Sequence, residues 1–346
     1  MAANFKEIGI DLGTSNTIIY SKDSGVILNE ATAIAFDKYD NYEIIAVGNK
    51  ARAMYGKNPK NIEVVRPLQD GVISDFDSTA EMLEKLIEKA LGSKSLKGYR
   101  VGIGTPSGVT EVEKTAVSEV VNQIGAREVY VLDEPMAAAI GSGLNVDDSE
   151  ASMITDVGGG TTDIAIVSLG GTVVSTSIRY AGEKMSESVI AYIRKTKGIL
   201  IGTQTAEDIK AAVGCAMVGV DENGNEIIRT IEARGRELVS GLPRTFEVTN
   251  KDMEDALRES VETIIDAIKS TVEKAPPEIA ADIAEKGMML TGGASLIENF
   301  DKIISQKTGM IVVRAENPYE AVAIGACKSL VNSDKLKVYA EIKIRD

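Results

Sequence analysis

Two acidic residues, Asp11 and Asp156, each close an apolar run and open a glycine-rich turn carrying hydroxyl side chains. The first run reads Ile8-Gly9-Ile10-Asp11-Leu12-Gly13-Thr14-Ser15-Asn16-Thr17. The second, 145 residues further on, reads Met153-Ile154-Thr155-Asp156-Val157-Gly158-Gly159-Gly160-Thr161-Thr162-Asp163. This pattern suits polyphosphate chemistry. Glycine tolerates positive φ and lets the main chain approach a ligand closely, and successive N–H groups form a concave anion nest. Thr14, Ser15, Asn16, Thr161 and Thr162 can add side-chain donors. The hard oxygens of Asp11 and Asp156 suit Mg²⁺ held through its waters. One such loop alone reads equally well as a glycine hairpin with a capping Asp. Two of them, opening the two halves of one chain, indicate two similar domains facing one nucleotide. Neither a G-x-x-x-x-G-K-[ST] loop nor a G-x-G-x-x-G fingerprint after a strand is present.

The elements that would carry these loops alternate. Residues 5–20 read as a hairpin around the first loop, with strand-like runs at Ala31–Phe36 and Ile44–Val47. Ser78-Thr79-Ala80-Glu81 has the form of a capping box and opens a helix with Met82, Leu83, Leu86, Ile87 and Ala90 on one face, stopped at Gly92. A strand at Val101–Gly104, a helix at Glu111–Ile124 and a strand at Glu128–Leu132 follow. The second half repeats the scheme: a hairpin over 153–178 turning at Gly170-Gly171, a helix from Lys184 to Thr196, and one over Thr205–Val213 capped by Thr203 or Thr205. Residues 214–248 read as irregular or stranded, with a hairpin turn at Asp221–Gly224. Asn250 caps a long helix with Met253, Leu257, Val261, Ile264, Ile265, Ile268 and Val272 inward, and Pro276-Pro277 lies beyond its end. The strand Met288–Leu290, the turn Thr291–Ser295 and a helix follow, and Pro318 starts a last helix from Tyr319 to Leu330. Strands alternating with helices give an α/β class with helices on both faces of two sheets. No Pro/Ser-rich linker divides the chain, which places a ligand in a cleft between packed halves.

Composition narrows the function. The chain has 346 residues, enough for roughly two domains, with 44% hydrophobic and 26% charged residues and a net charge of −14. That balance argues against general nucleic-acid binding, which needs a basic footprint. There is no histidine, so imidazole catalysis and imidazole metal sites are ruled out. Cys215 and Cys327 lack metal spacing and read as buried, reduced thiols of a cytoplasmic protein. The few residues ahead of Phe5 leave no space for a secretory leader, and no apolar stretch approaches the ~20 residues of a membrane span.

The two loops, the segment Leu132-Asp133-Glu134-Pro135-Met136-Ala137-Ala138-Ala139-Ile140-Gly141 and the turn Leu290-Thr291-Gly292-Gly293 resemble the actin/Hsp70/sugar-kinase ATPase superfamily. Within it the chain is similar to the MreB family of bacterial actins, through Arg66–Ile73, Glu134–Gly141, Asp156–Asp163, Ser240–Arg244 and Ala321–Ala326, and the likeness runs from about residue 6 to 332. The resemblance implies an actin-like ATPase fold of two similar domains, each a mixed β-sheet flanked by helices, with the nucleotide between them. Residues 1–145, with a helix over 318–332 returning to them, would form domain I; residues 146–317 would form domain II, with a small subdomain over 184–250. It also implies ATP binding and hydrolysis with Mg²⁺, assembly with itself into double protofilaments, usually antiparallel, and a place at the inner face of the cell membrane where the filaments help define cell shape. A small-molecule kinase, a plasmid-segregating actin relative and an Hsp70-type chaperone are the competing readings.

The resemblance also assigns residues. Gly13, Thr14, Ser15 and Asn16, with Gly158, Gly159, Gly160 and Thr161, would wrap the phosphates, while Asp11 and Asp156 would hold Mg²⁺ through water. Gly292, Gly293, Ala294 and Ser295 would line the adenosine side, and Glu207, Asp208, Ile209 and Lys210 the adenine and ribose. Read without the family, Glu207 and Lys210 are an ordinary i,i+3 surface ion pair. Glu134 is the catalytic candidate, at a helix start made rigid by Pro135, where with Thr161 it could orient a water. Asp133 is the competing acid, and many members carry a Glu there. Ala294 stands where a Gly is common. The start of the chain leaves no length for the amphipathic N-terminal helix of some members. In the Ser93–Tyr99 loop, which in others is hydrophobic, only Leu96 is aliphatic between Lys94 and Lys97, which favours an electrostatic contact with anionic lipid. The alternating tail Lys335–Arg345 reads as an edge strand or a membrane-facing segment.

Overall fold

A computed structural model describes residues 6–330 and 340–344. Two sheets organise it. The first runs, in spatial order, Ala340–Ile344, Glu128–Asp133, Tyr99–Thr105, Lys6–Leu12, Asn16–Ser21 and Gly25–Ala31. The second runs Gly171–Ile178, Thr162–Ser168, Ser152–Val157, Met288–Thr291 and Val312–Arg314. Each sheet is mixed in the same way. The strand leading into a glycine loop pairs antiparallel with the strand leaving it and parallel with its other neighbour. Ile8, Ile10, Leu12, Met153, Ile154 and Val157 are all buried, because helices cover both faces and leave these strands nearly continuous apolar runs. Asp11 and Asp156 therefore stand toward the carboxyl ends of central strands, the edge at which open α/β sheets present their ligand sites.

Between the sheets lie two short helices of small residues, Glu134–Gly141 and Ala321–Ser329. They approach so closely that a methyl group at Gly325 would run into the Ala137 carbonyl, and one at Gly141 into the Ala321 carbonyl. The first helix packs with Ile154, Ala165 and Val167 of the second sheet, while the backbone of the second helix meets the first sheet at Gly9 and Gly102.

Several sequence expectations shift by a residue or a turn. The helix Phe76–Leu91 is capped by Asp75, whose carboxylate takes the Ser78 N–H at 3.0 Å and the Ser78 hydroxyl at 2.7 Å, so the expected box at Ser78–Glu81 lies inside the first turns. Reciprocal boxes form instead at Thr110/Glu113 and Thr249/Asp252. Thr249, not Asn250, caps the long helix Asn250–Glu273; the Asn250 side chain holds the Arg229 N–H and the Ile227 carbonyl. Gly202 takes the N-cap expected of Thr203 or Thr205. The second hairpin turns on Leu169 and Gly170, both at positive φ (52° and 75°), one residue before the expected pair; a register shift at Ile166/Val167 absorbs the difference. Asp221–Asn225 is a local turn closed by the Asp221 carboxylate. The strand pair of that region is Thr230–Glu237 with Pro243–Thr249, turning at 238–242. The prolines beyond the end of the long helix open a further helix, Pro277–Lys286, which the sequence reading did not include.

Leu96 is fully buried in the first core, so it has nothing to insert into a bilayer, whereas Lys94 and Lys97 are exposed. Ala340–Ile344 pairs antiparallel with Glu128–Asp133 as an edge strand; 335–339 and Arg345 of the alternating tail, and residue 5 of the first hairpin, lie outside the described residues. Cys215 and Cys327 are buried free thiols. Among the described residues no helix is long and apolar enough to cross a membrane.

Candidate functional site

The two glycine loops meet tip to tip. A methyl at Gly159 would strike the Ser15 side chain and one at Gly160 the Thr14 side chain, so the second loop can close on the first only without side chains. A third piece locks the joint. In the turn between Leu68–Gln69 and Val72–Ile73, Asp70 and Gly71 both take positive φ (49° and 79°), and the Gly71 N–H donates to the Thr14 hydroxyl at 2.8 Å. Having accepted that bond, Thr14 keeps its own hydroxyl proton to donate.

A cleft of about 540 Å³ opens beside this joint. It is lined by Asp11, Gly13, Thr14, Ser15 and Asn16 from the first loop and by Asp156, Gly158, Gly159, Gly160 and Thr161 from the second. Gly292, Gly293 and Ala294, the helix residues Glu207, Asp208 and Lys210, and Glu134 complete the expected set. Two expected residues stand behind the wall. Ile209 is buried in the second core, on the helix face away from Glu207 and Lys210, and Ser295 is buried with its hydroxyl donating to the Gly292 carbonyl at 2.6 Å. Asp133 points elsewhere: its side chain is 41% exposed and sits 3.8 Å from Lys114. Glu207 and Lys210 are more than a surface pair. The Lys210 ammonium is largely buried and donates to the Gly182 carbonyl and the Ser186 hydroxyl, both at 2.7 Å, and to Glu207 at 3.1 Å.

Four carboxyl groups converge on the phosphate end. Burial raises Asp11 to about 7. Burial, then the facing charges of Asp163, Asp11 and Asp156, holds Glu134 well above the usual carboxylic range. Burial together with Asp11 and Asp163 does the same to Asp156. Burial lifts Asp163 to about 6, against the pull of the Ser107 N–H at 2.8 Å and the Thr161 and Ser177 hydroxyls. So many acids in one poorly solvated place favour a cation. Among the described residues no three acidic or thiol side chains are grouped to hold an ion by themselves. The donor set therefore fits Mg²⁺, which keeps most of its waters and shares phosphate oxygens, and not an ion caged wholly by protein.

Sequence reasoning gave no role to several residues of this cleft. Arg66 lines it, reaches the Thr14 carbonyl at 3.4 Å and forms an ion pair with Glu183 from the opposite half. Burial lowers the Arg66 pKa from its usual value, while Tyr55 and Glu207 oppose that shift. Tyr319 lays its ring against Gly293. The usable signal was the Asp70-Gly71 dipeptide, a strong turn marker; nothing in the sequence brings Arg66 to Glu183.

The family model for MreB/Mbl protein matches residues 5–338. The cell shape-determining protein Mbl of Bacillus subtilis (strain 168) is 44% identical over 331 residues, covering 96% of this chain and 97% of that one. The cell shape-determining protein MreB of Escherichia coli (strain K12) is 43% identical over 328 residues, covering 94% and 93%. Among solved structures, MreB 5 of Spiroplasma citri bound to AMPPNP superimposes with a TM-score of 0.88 at 33% identity, over 96% of this chain and 98% of that one. The MamK double helical filament matches at a TM-score of 0.79 and 20% identity, over 95% and 99%, a likeness of fold.

Proposed function

The chain belongs to the MreB/Mbl protein family, and from that premise we propose that it is a bacterial actin that binds ATP with Mg²⁺, hydrolyses it, and polymerises into filaments at the inner face of the cell membrane that help set cell shape. The observation carrying this reading is the tip-to-tip meeting of the two glycine loops with Asp11 and Asp156 at their bases. Relatives support it: they are named as cell shape-determining proteins, and MreB 5 is solved with both AMPPNP and ADP. We assign residues 1–145, with the returning helix Ala321–Ser329, to one moving body and 146–317 to the other.

When bound, the Mg²⁺-nucleotide would supply the reacting phosphorus and the charge that neutralises the carboxylates. The chain's own residues do the rest by positioning, which is most of what phosphoryl transfer asks of a protein. In this reading the main-chain N–H groups of 13–16 and 158–161 hold phosphate oxygens. Asp11 and Asp156 order the metal's waters, and Glu207 and Lys210 sit at the nucleoside end. Glu134 and Thr161 orient the attacking water. Glu134 sits at the first position of its helix, fixed by Pro135 and buried, so its carboxyl does not wander. Positive charge in the cleft would draw its pKa down and restore the carboxylate that accepts the water's hydrogen bond.

Glu134→Ala is expected to lower ATP turnover by roughly 10²-fold or more while leaving nucleotide binding largely in place. Single-turnover hydrolysis read beside fluorescent-nucleotide titration separates the two. Normal turnover in the variant would remove Glu134 from this role. The rival kinase reading predicts a soluble protein that transfers phosphate to a small alcohol, and the same assay shows it as ATP use that depends on that alcohol. For the membrane, the exposed Lys94 and Lys97 support a screened electrostatic contact with anionic lipid.

A further inference from the structure

Each glycine loop is held in shape through its carbonyls, and the two halves of the chain do this differently. In a planar trans peptide the C=O and the following N–H point to opposite sides, so a partner that fixes one fixes the other. In the second loop the Gly158 carbonyl accepts the Gly182 N–H at 3.0 Å, and the Gly159 carbonyl accepts the Glu183 N–H at 2.8 Å. Both donors are main chain, at the start of the helix Gly182–Lys197. The N–H groups of Gly159 and Gly160 are therefore aimed by backbone alone.

In the first loop both tasks fall to Thr32. Its hydroxyl donates to the Gly13 carbonyl at 2.7 Å, and its N–H donates to the Ser15 carbonyl at 3.0 Å. These two bonds set the peptide planes 13–14 and 15–16, and with them the directions of the Thr14 and Asn16 N–H groups. The plane after Gly13 is the easier to turn, because glycine has the wider choice of backbone angles. Thr32 has one hydroxyl proton and gives it to Gly13. The Thr17 hydroxyl, 3.0 Å away, must then be the donor to Thr32. Thr17 and Thr32 are 0% and 1% exposed, so water does not compete for these bonds. Thr32 is itself tied down on both sides. The Ala31 N–H bonds the Asn49 side chain at 3.3 Å, and the Ala33 carbonyl accepts the Gly48 N–H at 2.8 Å. The Asn49 N–H in turn donates to Glu30 at 2.7 Å.

We propose that Thr32 is a positioning residue of the phosphate site: its hydroxyl and N–H turn the Thr14 and Asn16 N–H groups toward the phosphates, a task the second half gives to main-chain donors at 182 and 183. This rests on the nucleotide reading above and names the side chain on which the shape of the first loop depends. Without the hydroxyl, the Gly13 carbonyl loses that donor and is free to turn a lone pair toward a phosphate oxygen. A hydroxyl that only steadied the end of a strand would act on the whole fold and not on phosphate in particular.

The test uses Thr32→Val, which removes the hydroxyl, and Thr32→Ser, which keeps it. Competition against a fluorescent ADP, with Mg²⁺ present, gives the affinity of each full-length variant for ATP, ADP and adenosine. Thr32→Val is expected to weaken ATP and ADP about tenfold, the scale of one lost hydrogen bond, and to leave adenosine within about twofold of wild type. Thr32→Ser is expected to restore both nucleotides. The proposal is overturned, and the nucleotide reading stands, if Thr32→Val weakens adenosine as much as ATP, if it leaves all three unchanged while wild type binds ATP, or if Thr32→Ser is as weak as Thr32→Val. If wild type binds neither the probe nor ATP, both fall. Should thermal unfolding show that Thr32→Val does not fold, Thr17→Val carries the test, because it removes only the donor to Thr32. It is expected to weaken ATP several-fold and not adenosine, and equal weakening of the two, or no change in either, overturns the proposal.

Discussion

Asp11 shows how a single residue ties the site to stability. Its carboxyl is lifted to about 7 and that of Asp163 to about 6, against about 3.9 in an unfolded chain. Between pH 4 and 7 the folded protein thus binds more protons than the unfolded one, so stability of the ligand-free form falls as pH rises through that window. The melting temperature without nucleotide is expected to be higher at pH 5 than at pH 7.5. Asp11→Asn is expected to raise it at pH 7.5 and to weaken Mg²⁺-nucleotide binding. A flat profile, or a variant that melts lower at pH 7.5, would contradict the crowded-carboxylate account. Asp11, Asp156 and the loop residues were legible beforehand because a strand, an acid and a glycine turn are contiguous in sequence. Arg66 and Glu183 were not, because 117 residues separate them and only the fold makes them partners.

At the scale of elements, the two small helices between the sheets meet at glycines that leave no room for a side chain. Gly325→Val would push β-branched bulk into the Ala137 carbonyl and is expected to cost about 3 kcal/mol, near the top of the usual range for overpacking. Urea unfolding measures it, and a loss below about 0.5 kcal/mol would mean that the helix pair slides apart freely. Thr249→Ala, which removes one half of the capping box on the long helix, is expected to cost about 1 kcal/mol by the same measurement. Element identity was readable from periodicity, as in Glu111–Gln123. Boundaries slipped where side chains competed for the same N–H. Asp75 outbid Ser78 for a cap, and the Asn250 side chain was drawn away to Ile227 and Arg229, just ahead of the strand Thr230–Glu237. The helix Pro277–Lys286 is short and opens on Pro277, a residue that suits a first helical turn as well as a loop.

Across the whole molecule, polar links that join the halves over the cleft include Arg66 with Glu183, Arg179 with Asp70 at 3.6 Å, and Asp163 with the Ser107 N–H. A nucleotide touching both loops adds contacts that exist only when the halves are closed, and only such differential contacts shift the balance between open and closed shapes. Arg66→Ala, which removes one native strap, is expected to speed nucleotide release several-fold in stopped-flow displacement, and an unchanged rate would show that this pair does not gate the cleft. The two-sheet architecture was legible from the repeat of one motif, whereas the straps exist only in three dimensions. The central claim is that nucleotide in the cleft drives assembly, and sedimentation of the wild-type chain with and without Mg²⁺-ATP tests it most directly. The account predicts a soluble protein that pellets on adding Mg²⁺-ATP, and Glu134→Ala pellets that persist longer because hydrolysis is slowed. A protein that binds ATP tightly yet stays in the supernatant at every concentration tried would contradict it.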